Sequence, residues 1–305
     1  MKPKVTVGVC VRNGASTIRE AIESIMAQDY PHELMEVIFV DDGSTDNTLS
    51  IIKDYASKMD MKVKIFHHEW KGLGYSRNVV VNNSEGKYII WVDSDMTLPN
   101  NFVSKHVEFM ERDTKVGIAK ARHGIKNMEN IIALLEHIPF ALYDLKDGWL
   151  ESKPPGTGGA IYRVEAIHKV GGFDDKLQGT GEDQDVAFRV KEAGWLIKRS
   201  SAIFYEKRAQ NWLEVWRKWI WYGFGDFALY CKNRRIFSPL GMNPLAGLIR
   251  GFLFIPDAYR LIHRKIVLLL PFHLSFEMAA WCIGFTKGYK NHRKQSNNSL
   301  FCCKS

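Results

Sequence analysis

Cysteine is scarce and badly arranged for bridging: Cys10, Cys231, Cys282, Cys302 and Cys303 are an odd set of five in 305 residues, with no Cys-x-x-Cys spacing. That excludes a disulfide framework and a zinc ribbon, and leads to an expectation of reduced thiols and a cytosolic active site. A leader is not expected either. MKPKVTVGVCVRNG carries only a short apolar run broken by Arg12, too short for a signal-peptide core and better matched to a first strand. Acidic residues are few after position 204, where 5 Asp/Glu face 16 Lys/Arg for a net +11, while residues 1–204 carry a net −3. The 46% hydrophobic and 25% charged composition excludes both a disordered tail and a polytopic transporter, and no internal repeat is visible.

What is present falls into two styles. Up to about residue 205, strand and helix signals alternate. KVTVGVCV (4–11), EVIFVDD (36–42), VKIF (63–66), KYIIWV (87–92) and VGIAKA (116–121) read as strands. Between them Ile18, Ala21, Ile22, Ile25 and Met26 repeat at helical spacing behind a Thr17/Glu20 capping box, and LGYSRNVVVNN and NFVSKHVEFMERD read as further helices. This alternation predicts an α/β domain over residues 1–205, with a mostly parallel sheet between helices, whose ligands bind beyond the strand carboxyl ends.

From 206 to 290 the pattern turns helical and amphipathic, with helices predicted over Trp212–Tyr230, Asn243–His263 (broken at Pro256) and Ile266–Thr286. The last is long enough to span a bilayer, but Pro271, His273 and Glu277 interrupt it and basic residues flank it. Interfacial or re-entrant insertion of 266–286 is the expectation, at the cytoplasmic face. Five of the nine tryptophans stand in this basic third, among clusters such as Lys232, Arg234, Arg235 and Arg264, Lys265. Long apolar runs between them favour an anionic membrane surface over nucleic acid. A helical subdomain that packs on the enzyme or dimerises is the competing use. Residues 291–305 read as a basic disordered tail.

Candidate chemistry sits at the strand exits. Asp93-Ser94-Asp95 directly follows YIIWV; two carboxylates one residue apart can share Mg²⁺ or Mn²⁺, or simply form an Asx turn. In VDDGSTD, Asp42 can accept hydrogen bonds from a uracil imide or a ribose hydroxyl, while Asp46 suits a helix cap. Gly72-Leu73-Gly74-Tyr75-Ser76-Arg77-Asn78 lacks the third glycine of a dinucleotide fingerprint, so a phosphate-contacting Arg77 fits better. Gly156–Gly159 reads either as a glycine-lined strand edge open to a sugar or pyrophosphate or as a bulged edge strand. Glu182 and Asp183 head a helix, as caps or as a site in which Asp183 serves as general base.

Taken in order, VDDGSTD, the RN of Arg77-Asn78, EGKYIIWVDSD, GGAIYR, VGGFDD and GEDQDVAFRVKEAGW resemble the family 2 inverting glycosyltransferases, over about Lys4 to Tyr205. The resemblance implies the nucleotide-diphospho-sugar-binding GT-A fold. It implies that Asp42 contacts the base, Asp93 and Asp95 hold Mg²⁺ or Mn²⁺ and the diphosphate, and Asp183 deprotonates the acceptor. Arg77, Gly159 and Glu182 then line the donor site. Two departures matter: SSAIFYEK lacks the histidine that relatives carry there as a metal ligand, leaving Glu206 or water, and the Gln-x-x-Arg-Trp signature of processive synthases is absent. A single sugar addition to a glycan or lipid-linked acceptor is therefore the expectation. The alternatives are a sugar-nucleotide-forming nucleotidyltransferase, which should carry a Gly-rich basic signature where Val11-Arg12-Asn13-Gly14-Ala15 stands, and a noncatalytic sugar-nucleotide-binding module.

Overall fold

The computed structural model describes residues 3–125, 129–146, 150, 153–177 and 179–302, with side chains up to 293. The chain forms two compact units: residues 1–126, 146–176 and 182–207 in one, and residues 127–145, 177–181 and 208–305 in the other.

The first unit is the α/β part. Its elements are β1 (Val5–Val11), α1 (Ile18–Met26), β2 (Met35–Asp42), α2 (Thr48–Ala56), β3 (Lys62–His68), α3 (Leu73–Asn83), β4 (Tyr88–Trp91), β5 (Met96–Thr97), α4 (Phe102–Arg112) and β6 (Val116–His123). After an excursion of the chain into the other unit as α5 (Ile131–Leu145), it is completed by β7 (Ala160–Arg163), α6 (Val164–Lys169), α7 (Glu182–Glu192) and β8 (Leu196–Glu206). Strand order is β3-β2-β1-β4-β7-β6-β8-β5. The pairs β1–β2, β1–β4, β2–β3 and β6–β8 are parallel, and β7 runs antiparallel between β4 and β6.

Two faces of this sheet explain why its strands read as nearly continuous apolar runs. Val5, Val7, Val9 and Val11 of β1 point into one core with Ile18, Ile22 and Ile25 of α1 and Phe102 of α4. Cys10 of β1, Ile38 and Val40 of β2 and Ile89 and Trp91 of β4 point into the other, with Val80 of α3 and Val186 of α7. A strand covered on both sides gains nothing from alternation, and burying each large aliphatic chain stabilises by about 1.5–3 kcal/mol.

Local expectations meet the structure in three places. Thr17 starts α1 without a side-chain bond to the helix; its hydroxyl donates instead to the Gly14 carbonyl at 3.3 Å. Asp46 does work as a cap, accepting from Thr48 N at 3.0 Å, and its other oxygen accepts from Ala15 N at 3.2 Å. The GGAIYR strand is no edge: β7 lies in the middle of the sheet, hydrogen-bonded on both sides.

The second unit is helical: α5, α8 (Trp212–Lys232), α9 (Pro244–Ile262) and α10 (Leu270–Cys302), the last entered through a 3₁₀ turn, Lys265–Leu269. α5 joins it because Leu134, Leu135, Ile138 and Leu142 pack with Phe254 of α9 and Leu270 and Leu274 of α10. Asn211 caps α8 by accepting from Glu214 N at 3.0 Å, and Asn243 caps α9 by accepting from Ala246 N at 3.0 Å. α9 does not break at Pro256 but runs through it to a left-handed cap at His263. The carbonyl that proline leaves without a partner belongs to Phe252, on the exposed side, where water can take it. α10 continues past Tyr289 to Cys302, where a disordered tail was expected; no glycine or proline after Gly288 stops it. The side chains of 294–302 and all of 303–305 lie outside the described residues.

Candidate active site

Because β1, β2 and β4 run parallel, their carboxyl ends share one rim of the sheet. β7 is antiparallel to β4, so its beginning comes to that rim, and with it the loop Gly156–Gly159. The DSD and GTGG motifs, more than sixty residues apart in sequence, therefore meet. A Cβ placed on Gly158 would lie 2.6 Å from Asp93 Oδ2, and one on Gly156 would lie 3.0 Å from Asp183 Oδ2. Gly159, the glycine singled out from sequence, instead packs against the Phe204 ring with φ +68°.

Arg77 is the hub. It lies buried in the second turn of α3, paired through Nη1 with Glu182 Oε1, and its Nη2 stands 3.8 Å from Asp93 Oδ1. Burial works against its charge, but Glu182, Asp93 and Asp183 outweigh that and hold the guanidinium pKa above its ordinary value. Burial pushes the Glu182 carboxyl up, to about 7, against the pull of Arg77 and with help from Asp183. Arg77 thus keeps its charge throughout, and the carboxyl side of the cluster takes up protons. Asp93 is raised as well, first by burial and then by Glu206 and Asp183 against Arg77 and Lys120. Its side chain nevertheless keeps 44% of its surface accessible: protein surrounds it on most sides and one side is open. That describes a cleft floor.

Around this hub stand the other residues expected from sequence. Asp183, half-buried in the first turn of α7, accepts from Gln184 N at 2.7 Å through Oδ1, so its Oδ2 faces Gly156. Asp42 is buried, and its carboxylate accepts from Lys71 N at 2.8 Å and Gly72 N at 3.0 Å, fixing the loop that leads into α3. Asp95 follows Asp93 in the turn after β4, and its carbonyl accepts from Lys207 N at 2.9 Å. Cys10, at the end of β1, feels Arg77, Asp93, Asp42 and Glu182 together; burial above all pushes its thiol up to about 12, so it stays protonated.

Sequence reasoning missed three features of this site. Lys120 of β6 is buried and donates from Nζ to the carbonyls of Gly158 and of Gly156, the latter at 3.3 Å, so a cation holds the glycine loop against Asp93 and Asp183. A lysine inside the apolar run VGIAKA was the available signal. Gly158 was passed over for its neighbour. His123, at the end of β6, places Nε2 3.9 Å from Glu206 Oε2, beside the group that raises Asp93.

Among the described residues, no three His, Cys, Asp or Glu side chains converge to hold a metal ion by themselves. The donor set still suits Mg²⁺ or Mn²⁺. These ions take hard oxygen ligands, and Mg²⁺ commonly uses one or two protein carboxylates with substrate phosphates filling the remainder. Asp93, open on one side and next to Asp95, offers that.

The site so built is a sheet rim with paired acids, a buried arginine and a glycine loop. The sequence model of the family described as "Glycosyl transferase family 2" matches residues 6–171, and the chain belongs to that family. It is 28% identical over 228 residues to the probable glycosyltransferase YdaM of Bacillus subtilis, covering 71% of this chain and 53% of that protein. It is 39% identical over 92 residues to the poly(ribitol-phosphate) beta-N-acetylglucosaminyltransferase TarS of Staphylococcus aureus, covering 30% and 16%. The chain thus spans about half the length, or less, of these relatives. Among solved structures, the mannosyltransferase PcManGT from Pyrobaculum calidifontis, in complex with GDP-Man and Mn²⁺, superposes with a TM-score of 0.67 at 19% identity, over 95% of this chain and 88% of that one. Residues 1–349 of S. aureus TarS with UDP-GlcNAc give a TM-score of 0.52 at 19% identity, over 95% and 92%. The fold is GT-A, as the motifs implied.

Proposed function

We infer that this chain is a glycosyltransferase that moves one sugar from a nucleotide-diphosphate sugar to an acceptor hydroxyl or polyprenyl phosphate with inversion, in cell-surface glycan or glycolipid assembly. The observation that carries this reading is the convergence of Asp93, Asp183, Glu182 and the 156–159 loop on Arg77 in one half-open cleft. Asp42, held by Lys71 and Gly72, has acceptor capacity left for the nucleotide base or ribose. Asp93 and Asp95 are the residues that would hold Mg²⁺ or Mn²⁺, which would supply positive charge beside the departing diphosphate.

Arg77 and Glu182 form the floor of the donor site, and Gly156 and Gly158 bring its wall close. Asp183 takes the acceptor's proton as the acceptor oxygen forms its bond to the anomeric carbon, from the face opposite the departing nucleoside diphosphate. One bond forms and one breaks, so the configuration inverts. With a phosphate acceptor the attacking oxygen is already anionic and Asp183 matters less.

Two similar proteins support the biological setting: TarS is a poly(ribitol-phosphate) beta-N-acetylglucosaminyltransferase, and PcManGT was solved with GDP-Man. A lipid-linked acceptor places the enzyme at the cytoplasmic face of an anionic membrane. The helix spanning Lys265–Arg293 meets the length and composition of a membrane crossing, with 50% of its apolar window buried inside the protein. The test is a panel of UDP-, GDP-, CDP- and dTDP-sugars with Mn²⁺ and lipid extract, reading nucleoside diphosphate release and the anomeric configuration of the product. Release from one donor with an inverted product is expected. No turnover with any donor, or retention of configuration, would overturn the reading.

A further inference from the structure

The apolar surface of the helical unit is not where the sequence alone put it. In α10, Leu270, Leu274, Met278 and Trp281 of the predicted inserting segment 266–286 are buried, while Phe272 and Ile283 stay exposed. Trp281 donates from Nε1 to Asp226 of α8 at 2.7 Å, and Phe285 stacks on its ring. α9 behaves differently. Its inner face, Gly247, Gly251, Phe254 and Ala258, is buried, and its glycines lie against Leu274 and Pro271 at the start of α10.

At helical spacing on the opposite side stand Leu245 (66% exposed), Ile249, Phe252, Leu253 (70% exposed) and Pro256, with no charge among them. The neighbouring turn into α10, packed onto α9 through Pro271 and Gly251, leaves Leu268 and Phe272 exposed too. A helix apolar on both sides, one of them facing water, needs a second solvent.

Charge identifies that solvent. Arg234 and Arg235 stand in the loop leading into α9, Arg260 stands in its last turn, and Arg264 and Lys265 follow it; all five are exposed. An apolar stripe without charge from Leu245 to Pro256, with cations at both ends and one exposed acid, Asp257, paired with Arg260 at 3.4 Å, matches a helix lying in the headgroup boundary, its apolar side chains among the acyl tails and its cations at anionic phosphates. We propose that the outer face of α9, together with the turn Lys265–Leu269, is the lipid-docking surface of this protein and seats it in the plane of an anionic bilayer. This deepens the membrane reading given above and depends on it. Catalysis at Asp93 and Asp183 does not depend on it.

The test is flotation of the full chain with vesicles of phosphatidylcholine alone or mixed with phosphatidylglycerol, in low and high salt. The wild type is expected to float with the mixed vesicles and to keep part of its binding in high salt, because apolar burial is not screened. Phe252→Glu/Leu253→Glu should lower partition about tenfold or more. Arg264→Gln/Lys265→Gln should lower the preference for anionic vesicles by about fivefold per residue at low salt. Both double variants are at exposed positions, and circular dichroism and soluble donor turnover should match the wild type. Unchanged flotation of Phe252→Glu/Leu253→Glu would overturn the proposal. So would a wild-type chain that ignores both vesicles and instead forms a dimer that Phe252→Glu/Leu253→Glu dissociates, which would give the face to a second copy. Loss of donor turnover in the wild type with intact flotation would count against the transferase reading alone.

Discussion

Gly158→Ala tests the site through a single methyl group. The new Cβ would stand 2.6 Å from Asp93 Oδ2 and 3.5 Å from Met96 Sδ. An ordinary carbon–oxygen contact begins near ~3.4 Å, so the Asp93 carboxylate must retreat by about 0.8 Å. It can do so cheaply, because its side chain is part-exposed, and Gly158 has no positive φ that alanine would resist. Stability should therefore hold within about 1 kcal/mol, a Tm change of about 2–4 °C for a unit of this size. Catalysis should not hold. Misplacing a reacting group by about 1 Å costs on the order of 100-fold, or about 2.7 kcal/mol of transition-state stabilisation. The assay is kcat/KM for nucleoside diphosphate release beside a thermal melt of the same preparation. Wild-type kcat/KM with an unchanged melt would show that Asp93 has no positional role, and the reasoning would fail.

Three further outcomes follow from the Arg77 cluster and its surroundings. Arg77→Met strands the buried Glu182 without its counter-charge, which should cost about 3–5 kcal/mol in denaturant melts, and Arg77→Met/Glu182→Leu should recover most of it. Full stability in the single variant would refute the pairing. The Glu182 carboxyl, raised from its usual 4.5 to about 7, makes the folded chain hold a proton that the unfolded chain has lost between those pH values. Stability should fall as pH rises through that window, and Glu182→Gln should flatten the slope; an unchanged slope would assign it elsewhere. Asp183→Asn should cut turnover on a hydroxyl acceptor by about 10²–10⁴-fold while leaving nucleoside diphosphate affinity within a few fold, and unchanged turnover would remove Asp183 from the role of base.

Much of this architecture is legible in the sequence because it is locally encoded. Doubly buried strands announce themselves as apolar runs, and acids at their ends mark the rim; Asp42 and Asp93 were visible as such, and Arg77 and Asp183 as charged residues near helix starts. What escaped depends on pairing across the chain. Nothing in AIYR says that it inserts antiparallel between β4 and β6, yet that insertion brings Gly158, rather than Gly159, to Asp93. The membership of α5 in the helical unit escaped for the same reason, since its partners Phe254 and Leu270 lie more than a hundred residues on. Pro256 misled because a proline inside a helix forfeits one hydrogen bond and crowds the carbonyl four residues back without having to end the helix, and α9 runs through it to His263. Lys120 was overlooked as a stray charge in a strand, although its burial makes it the clamp of the glycine loop.

The central claim is that Asp93 helps bind the diphosphate of a nucleotide-sugar donor through a shared divalent cation. Titration calorimetry of UDP and GDP, with and without Mn²⁺, on the wild type and Asp93→Asn measures it directly. The account predicts that Mn²⁺ tightens one nucleotide by at least about tenfold in the wild type and that Asp93→Asn abolishes the gain. Equal tightening by Mn²⁺ in both proteins would contradict it.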